Sequence, residues 1–186
     1  MARPDIHLAR PEDAREIARI QRDTWRTAYA DLLGAEALKH LDGAGTEGRW
    51  SSAIDHPDTD VFVATEGRFT VGFCVSGPAP VEELTDAEGN EPEDPAHTGL
   101  IATVLVEPRW GRRGHGGRLL AAAARALRSR GALRAVTWVS ESDSATLSLY
   151  RSVGWNPDRT VRTLDTGEQT IREMRLTGGL DLRLRE

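Results

Sequence analysis

Cysteine is almost absent from this 186-residue sequence, in which Cys74 is the only one. A disulfide within the chain and a metal site built from several cysteines are therefore both excluded. The sequence also lacks an uncharged apolar stretch of about eighteen residues, so it predicts no membrane-spanning helix. The opening residues 1–5 lack the apolar run of a secretory signal. We expect a cytoplasmic location, where thiols stay reduced.

Positive charge is lacking overall, since the formal net charge is -5. This balance argues against a general nucleic-acid-binding protein. The segment 108–140 is the exception, with eight arginines and no acidic residue, whereas the segment 82–94 has seven acidic residues and no basic one. Such a separation indicates a local site for an anionic ligand, although a solvated arginine-rich helix would explain the charge pattern more simply.

Hydrophobic periodicity and turn residues predict one α/β domain over 1–186, with a core at about 5–177, an acidic loop at about 78–97 and a tail at about 178–186. The stretch Gly77–His97 is predicted to be a loop that adds nothing to the core, and Gly43–Gly45 a break. The predicted helices are Pro11–Tyr29, Ala35–Leu41, Thr46–Ile54, Gly114–Arg130 and one from Ser142 or Asp143 to Val153. The predicted strands are Ile6–Ala9, Val61–Ala64, Phe69–Val75, Leu100–Val106, Ala135–Val139, Thr160–Leu164 and Thr170–Leu176.

The most informative motif follows the apolar strand Leu100–Val106, where a loop rich in arginine and glycine leads into a helix. Helix starts leave backbone N–H groups unpaired and bind phosphates well, and glycine lets a phosphate approach closely. A Walker loop is excluded because no Gly-Lys-Ser/Thr follows, and a dinucleotide fingerprint fails because Leu119 stands where its last small residue should be. A pyrophosphate loop of the acyl-CoA type remains, beside an ordinary tight turn.

A second motif lies one strand and one helix later, where Tyr150 stands four residues before Gly154-Trp155. Alone, Tyr150 reads as a half-buried core tyrosine. Aminolysis of a thioester, however, releases a thiolate, and a nearby phenol can protonate it. With an ordinary pKa of about 10, this phenol carries its proton at neutral pH.

Together the two motifs resemble the GNAT superfamily of N-acetyltransferases. The family pattern Gln/Arg-x-x-Gly-x-Gly/Ala is matched by Gly111-Arg112-Arg113-Gly114-His115-Gly116, and Tyr150 falls on the family's tyrosine. Gly111 stands where the family has Gln or Arg, and Asp143 stands where it has Asn. Because of these departures, a non-catalytic acyl-CoA-binding sensor of the same fold stays open as the alternative to an enzyme.

The resemblance implies a mixed, mostly antiparallel twisted sheet with helices on both faces and a splayed central strand. It implies an enzyme that uses acetyl-CoA and no metal, and that moves the acetyl group directly to an amine of a small molecule, peptide or protein. From the net negative charge and the lack of a long apolar stretch, we expect neither nucleic acid nor a membrane as partner. A homodimer through edge strands near the C-terminus stays open, and the sequence does not name the acceptor.

The resemblance also implies roles for individual residues. Tyr150 would protonate the leaving thiolate, and an amide near Leu105 or Val106 would polarise the thioester carbonyl. His115 would contribute only its amide. The predicted cofactor-binding residues are Val104, Leu105, Val106, Arg112, Arg113, Gly114, His115, Gly116 and Gly117.

The amine acceptor and its general base are assigned less directly. Trp25 and Tyr29 lie one turn apart on the first helix, where the family lines its acceptor pocket, although core packing explains their spacing equally well. Glu141, just after a strand, is a base candidate, and His97 at the exit of the acidic loop is another. For both, an ordinary surface position is the alternative interpretation.

Overall fold

The sheet is built from seven strands in the order β1-β2-β3-β4-β5-β7-β6. The computed structural model describes residues 4–41 and 45–182. The strands are β1 (Pro4–Leu8), β2 (Asp60–Glu66), β3 (Phe69–Pro78), β4 (Thr98–Val106), β5 (Arg134–Ser140), β6 (Asn156–Asp165) and β7 (Thr170–Gly179). The helices are α1 (Ala14–Ala28), α2 (Ala30–Leu41), α3 (Thr46–Asp55), α4 (Val81–Leu84), α5 (His115–Ser129) and α6 (Ser144–Ser152). Within those two ranges, none of the helices combines the length and apolarity needed to cross a bilayer.

The sheet opens between its two central strands. β4 and β5 form the parallel pair, which extends over three residue pairs, from Thr98 beside Arg134 to Leu100 beside Val136. Beyond it, the carbonyl of Ile101 accepts a hydrogen bond from the side chain of Thr137 at 2.7 Å, in place of a backbone partner. The β3–β4 ladder also shifts register between Val75 and Ser76. The predicted bulged and splayed central strand is confirmed, and the other strand pairs are antiparallel as expected.

Helices cover both faces of the sheet, as predicted. α1 buries Ile17 and Ile20, which are three residues apart and pack with Phe73 and Leu105 on one face. On the opposite face α5 and α6 build a larger apolar cluster that includes Leu119, Leu120, Leu127, Leu147 and Tyr150. Cys74 lies inside this second cluster, where burial raises the pKa of its thiol to about 12. The cysteine is therefore a buried thiol, as expected from its apolar strand.

The acidic loop departs from the prediction. The expectation that it adds nothing to the core was wrong, because it forms the short helix α4, and Leu84 in that helix is only 5% exposed. Arg175, which is 6% exposed, anchors the segment by donating hydrogen bonds to the carbonyls of Glu83 and Thr85, both at 3.0 Å. One apolar residue among many acids gives too weak a periodic signal to predict such a contact.

The element boundaries differ from the predictions in smaller ways. The first helix begins with a 3-10 turn at Pro11–Asp13, and β6 starts four residues earlier than predicted. α2 begins five residues earlier than predicted and is kinked at Gly34, which has a φ of 74°. β7 continues to Gly179, and Leu180 is buried, so the sheet extends into the predicted tail. The predicted break at 43 and 44 and the end of the tail from 183 lie outside the described residues.

Candidate active site

Two adjoining cavities lie where β4 and β5 separate. The larger has a volume of about 1050 Å³ and is lined by the glycine loop, the end of β4 and the start of α6. The smaller has a volume of about 300 Å³ and reaches through the opened sheet towards α1 and β7. Tyr29, Val104, Leu105, Asp143 and Thr146 line both cavities, so the two meet at these residues.

The glycine loop at the wall of the larger cavity presents a run of unpaired amides. After a 3-10 turn at Pro108–Trp110, Arg112 and Gly114 both adopt left-handed backbone conformations, with φ of 60° and 78°. Arg118 donates its N–H to the carbonyl of Gly114, which closes the first bond of α5. The amides of 112–117 before it have no acceptor in the described part of the chain. Such a concave set of N–H groups at a helix start is a site for phosphate oxygens.

The two loop arginines differ in their surroundings. Arg112 is exposed, lines the larger cavity and pairs with no acidic side chain in the described ranges. Arg113 instead donates to Glu66 at 2.9 Å and lies over the ring of Trp110 at 4.8 Å. Arg112 is thus the loop guanidinium that is free to meet an anion, whereas Arg113 supports the loop from behind.

The side chain of His115 has a structural contact that its position in the motif did not suggest. It is fully buried, and its Nε2 lies 2.9 Å from Glu66 at the end of β2. The hydrogen bond to His115, together with the charge of Arg113, holds the pKa of Glu66 below its ordinary value. The expectation that His115 offers only its amide therefore leaves out this contact, which links the loop to β2. Glu66 itself was not predicted, because no sequence pattern connects two residues 49 positions apart.

The backbone of β4 alternates between its neighbour and the open gap. Glu107 donates its N–H to the carbonyl of Val71 at 2.9 Å, one step beyond the pair Val106–Gly72. Because bonded residues alternate along an antiparallel ladder, Leu105 also bonds to β3, whereas Val104 and Val106 direct their N–H and C=O groups into the gap. A linear ligand could therefore add to this edge of β4 through Val104 and Val106.

Tyr150 stands at the inner wall of the smaller cavity. It is 1% exposed, its ring packs on Trp155 at 5.2 Å, and its hydroxyl has no hydrogen-bond partner in the described structure. Burial raises the pKa of this phenol, so it keeps its proton throughout the neutral range. A buried hydroxyl without a partner is costly unless a ligand supplies one.

The first helix contributes Trp25 and Tyr29 to the smaller cavity. The Tyr29 hydroxyl donates to Asp143 at 2.6 Å, and burial followed by this hydrogen bond raises the pKa of the phenol. Asp143 also caps α6, since it accepts from the backbone and the hydroxyl of Thr146. This bridge between the end of α1 and the start of α6 spans the junction of the cavities, and no sequence pattern indicated it.

The two base candidates lie elsewhere. Glu141 lies on the surface 3.3 Å from Arg172 and lines neither cavity. His97 pairs with Asp94 at 2.6 Å in an exposed position. The carboxylates that do line the smaller cavity are Asp143 and Glu173. The structure does not bring Glu141 and Tyr150 into one cavity, and the catalytic role of Glu141 stays a prediction.

Comparisons with known proteins agree with this geometry. The family model "Acetyltransferase (GNAT) family" matches residues 15–155. A Bacillus subtilis (strain 168) relative, the uncharacterized N-acetyltransferase YuaI, is 32% identical over 155 residues, which cover 83% of this chain and 80% of the relative. 

Two solved structures show that the fold is shared. The PaiA N-acetyltransferase from Thermoplasma acidophilum, in complex with coenzyme A, aligns with a TM-score of 0.72 at 15% identity, covering 95% of this chain and 99% of the other. YncA, a putative acetyltransferase from Salmonella typhimurium with its cofactor acetyl-CoA, aligns at 0.69 and 17% identity, covering 100% and 98%. Because the family model spans most of the chain and the curated relative exceeds 30% identity, the chain belongs to the GNAT family of acetyltransferases and is an acyltransferase.

Proposed function

We propose that the chain is an N-acetyltransferase that moves the acetyl group of acetyl-CoA directly to a primary amine. The observation that carries the proposal is the continuity of the site: unpaired amides at 112–117 lead along the open edge of β4 to the unpartnered hydroxyl of Tyr150. A diphosphate, an extended amide-containing arm and a thioester need these three features in this order. The residues present therefore fit acetyl-CoA.

Each group in the site has a role in the reaction. Acetyl-CoA supplies the acetyl group as a thioester, which an amine attacks at the carbonyl carbon. The N–H groups of Val104 and Val106 face the gap, where one of them donates to the carbonyl oxygen as negative charge develops there. Tyr150 gives its proton to the sulfur as the carbon–sulfur bond breaks. The amides of 112–117 and Arg112 hold the diphosphate, so positioning supplies much of the rate enhancement.

The two departures from the family pattern do not remove any of these roles. Gly111 donates its own N–H to the carbonyl of Pro108 and lines the larger cavity without a side chain, so the phosphate-binding amides remain accessible. Asp143 caps α6 and bonds Tyr29. We propose Glu141 as the base that accepts the proton from the amine through water, and the variant Glu141→Gln tests this role. If Glu141 is the base, kcat should fall in the variant, and the loss should become smaller as pH rises because more of the amine is then already uncharged.

Titration calorimetry with acetyl-CoA, coenzyme A and free pantetheine tests the proposal directly. Binding of coenzyme A with much weaker binding of pantetheine is expected, because pantetheine lacks the diphosphate that the loop holds. Thiol release on addition of amines then measures transfer. If acetyl-CoA at millimolar concentration neither binds nor raises the melting temperature, the proposal fails, since a ligand of the native state must stabilise it.

A further inference from the structure

Among the described residues, those that line the smaller cavity carry negative charge and no positive charge. They include two carboxylates, Asp143 and Glu173, and no arginine, lysine or histidine. Glu173 is paired with Arg162, whose Nε donates to it at 2.7 Å. Asp143 is different, because its hydrogen-bond donors among the described residues, Tyr29 and Thr146, are uncharged. The junction with the larger cavity, where the acetyl group has to be transferred, therefore holds one uncompensated negative charge.

The walls of this cavity are mainly rings and aliphatic side chains. Trp25, Tyr29, Trp138 and Tyr150 all line it. Arg162 stacks on Trp138 at 4.3 Å but is not itself a lining residue, and it is engaged by Glu83 as well as by Glu173. A volume of about 300 Å³ is at the small end for ligand sites. Such a space suits a compact apolar group with a cation at one end.

We infer that the acceptor is a compact primary amine with an apolar, ring-containing body and no carboxylate beside the amine, and that Asp143 selects it. This inference rests on the proposed function and names the substrate class of the same site. An α-amino acid would bring its own carboxylate towards Asp143, and the described residues that line the smaller cavity include no cation to neutralise it. Two like charges about 5 Å apart at an effective dielectric constant of about 20 repel enough to weaken binding on the order of 100-fold.

Three amines of nearly constant shape test the inference: phenethylamine, L-phenylalaninamide and L-phenylalanine, each with acetyl-CoA and detection of free thiol. The amide and the acid have the same size and differ by one negative charge. When kcat/KM is expressed per concentration of uncharged amine, we expect it to be similar for the first two amines and at least about 100-fold lower for phenylalanine. A peptide amine, a polyamine and glutamate complete the panel.

The Asp143→Asn variant assigns the discrimination to one carboxylate. Asparagine keeps the size of the side chain and an oxygen for the amide of Thr146, while it removes the charge. In this variant the ratio between phenylalaninamide and phenylalanine should fall at least about tenfold. Glu91→Gln, which removes an equal charge from an exposed residue outside both cavities, should leave the ratio unchanged.

The outcomes separate the two proposals. If phenylalanine reacts within about tenfold of its amide, or if only glutamate, the polyamine or the peptide is acetylated, the substrate class is wrong while acetyl transfer stands. If no amine of the panel releases thiol, both proposals fail. The comparison of substrates uses the unmodified protein, so it remains decisive even if Asp143→Asn loses the α6 cap and does not fold.

Discussion

Replacing Tyr150 with phenylalanine should lower the rate of acetyl transfer without lowering the folding stability. The change removes one oxygen atom and leaves the ring that packs on Trp155. A positioned general acid contributes about 10²- to 10⁴-fold to rate, so kcat should fall by that factor, which corresponds to roughly 3 to 5 kcal/mol in the barrier. Affinity for acetyl-CoA should change by less than about twofold, because Tyr150 does not line the larger cavity where the diphosphate would bind.

The folding stability of the same variant should hold or rise. The Tyr150 hydroxyl is buried and forms no hydrogen bond with the described residues. A buried hydroxyl left unpaired costs about 1 to 3 kcal/mol, and phenylalanine avoids this cost. We expect the free energy of unfolding to rise by up to about 1 kcal/mol, a conservative part of that cost. An ordinary core tyrosine with a satisfied hydroxyl would behave in the opposite way.

Three measurements on purified wild-type and variant protein check this prediction together: single-turnover acetyl transfer, calorimetric affinity for acetyl-CoA, and urea denaturation. A variant that transfers acetyl at the wild-type rate would refute the role of Tyr150 as the acid. A variant that loses rate together with more than about 2 kcal/mol of stability would show that the hydroxyl is structural instead.

Further predictions address the loop, the packing and the pH dependence. Arg112→Ala should raise KM for acetyl-CoA about tenfold with kcat unchanged, because a charge-assisted contact to phosphate is lost, whereas Arg125→Ala on the exposed side of α5 should leave both constants unchanged. Gly178→Ala should lower the free energy of unfolding, measured by urea denaturation, by about 2 to 3 kcal/mol, because a Cβ there would lie 2.2 Å from Cδ1 of the buried Trp155. Gly179→Ala is the control and should have little effect, because an added Cβ at Gly179 meets nothing within 4 Å. Burial raises the pKa of Tyr150 in the native state, so the contribution of its protonated form to stability is complete below about pH 10 and decreases as pH rises further. Above about pH 10, the free energy of unfolding of the wild type should therefore fall by up to about 1.4 kcal/mol per pH unit more than that of Tyr150→Phe. Parallel plots of unfolding free energy against pH would contradict the burial of this phenol.

The parts of the fold that local patterns determine could be predicted from the sequence. Leu100–Val106 is an apolar run interrupted only by Thr103, with Pro108 two residues beyond its end, and the structure has a central strand there. The glycines at 114, 131 and 154 mark helix ends, and all three adopt positive φ. These signals depend on residues a few positions apart, so they can be recognised without knowledge of the tertiary structure. The prediction that the acidic segment adds nothing to the core was wrong, because its one buried apolar residue, Leu84, gives no periodic signal.

Contacts within the site were less accessible to sequence reasoning. The bond between Tyr29 and Asp143 joins residues 114 positions apart, and the contact of Glu66 with His115 joins residues 49 apart. Neither pair shows a periodicity or motif that would single it out. Glu173 and Trp138 line the smaller cavity because β5 and β7 are neighbours in the sheet, not because of any local pattern. Local motifs therefore predict a binding site for acetyl-CoA. The lining of the smaller cavity, where the acceptor amine is proposed to bind, depends on contacts between residues far apart in the sequence.

The two departures from the family pattern differ in their expected consequences. Gly111 leaves the glycine loop able to bind phosphate, whereas Asp143 changes the site where the acceptor amine is proposed to bind. At Gly111 the missing side chain leaves the backbone amides of the loop in place, and the proposed phosphate site depends on those amides. At Asp143 the side chain itself forms part of both cavities, so a carboxylate in place of an amide changes the charge at their junction by one unit. Because the three hydrogen bonds to Asp143 come from uncharged donors, that unit remains available to an incoming ammonium group. Under the proposed selectivity, the same acetyl transfer is directed to a different amine by one side chain at the junction of the two cavities.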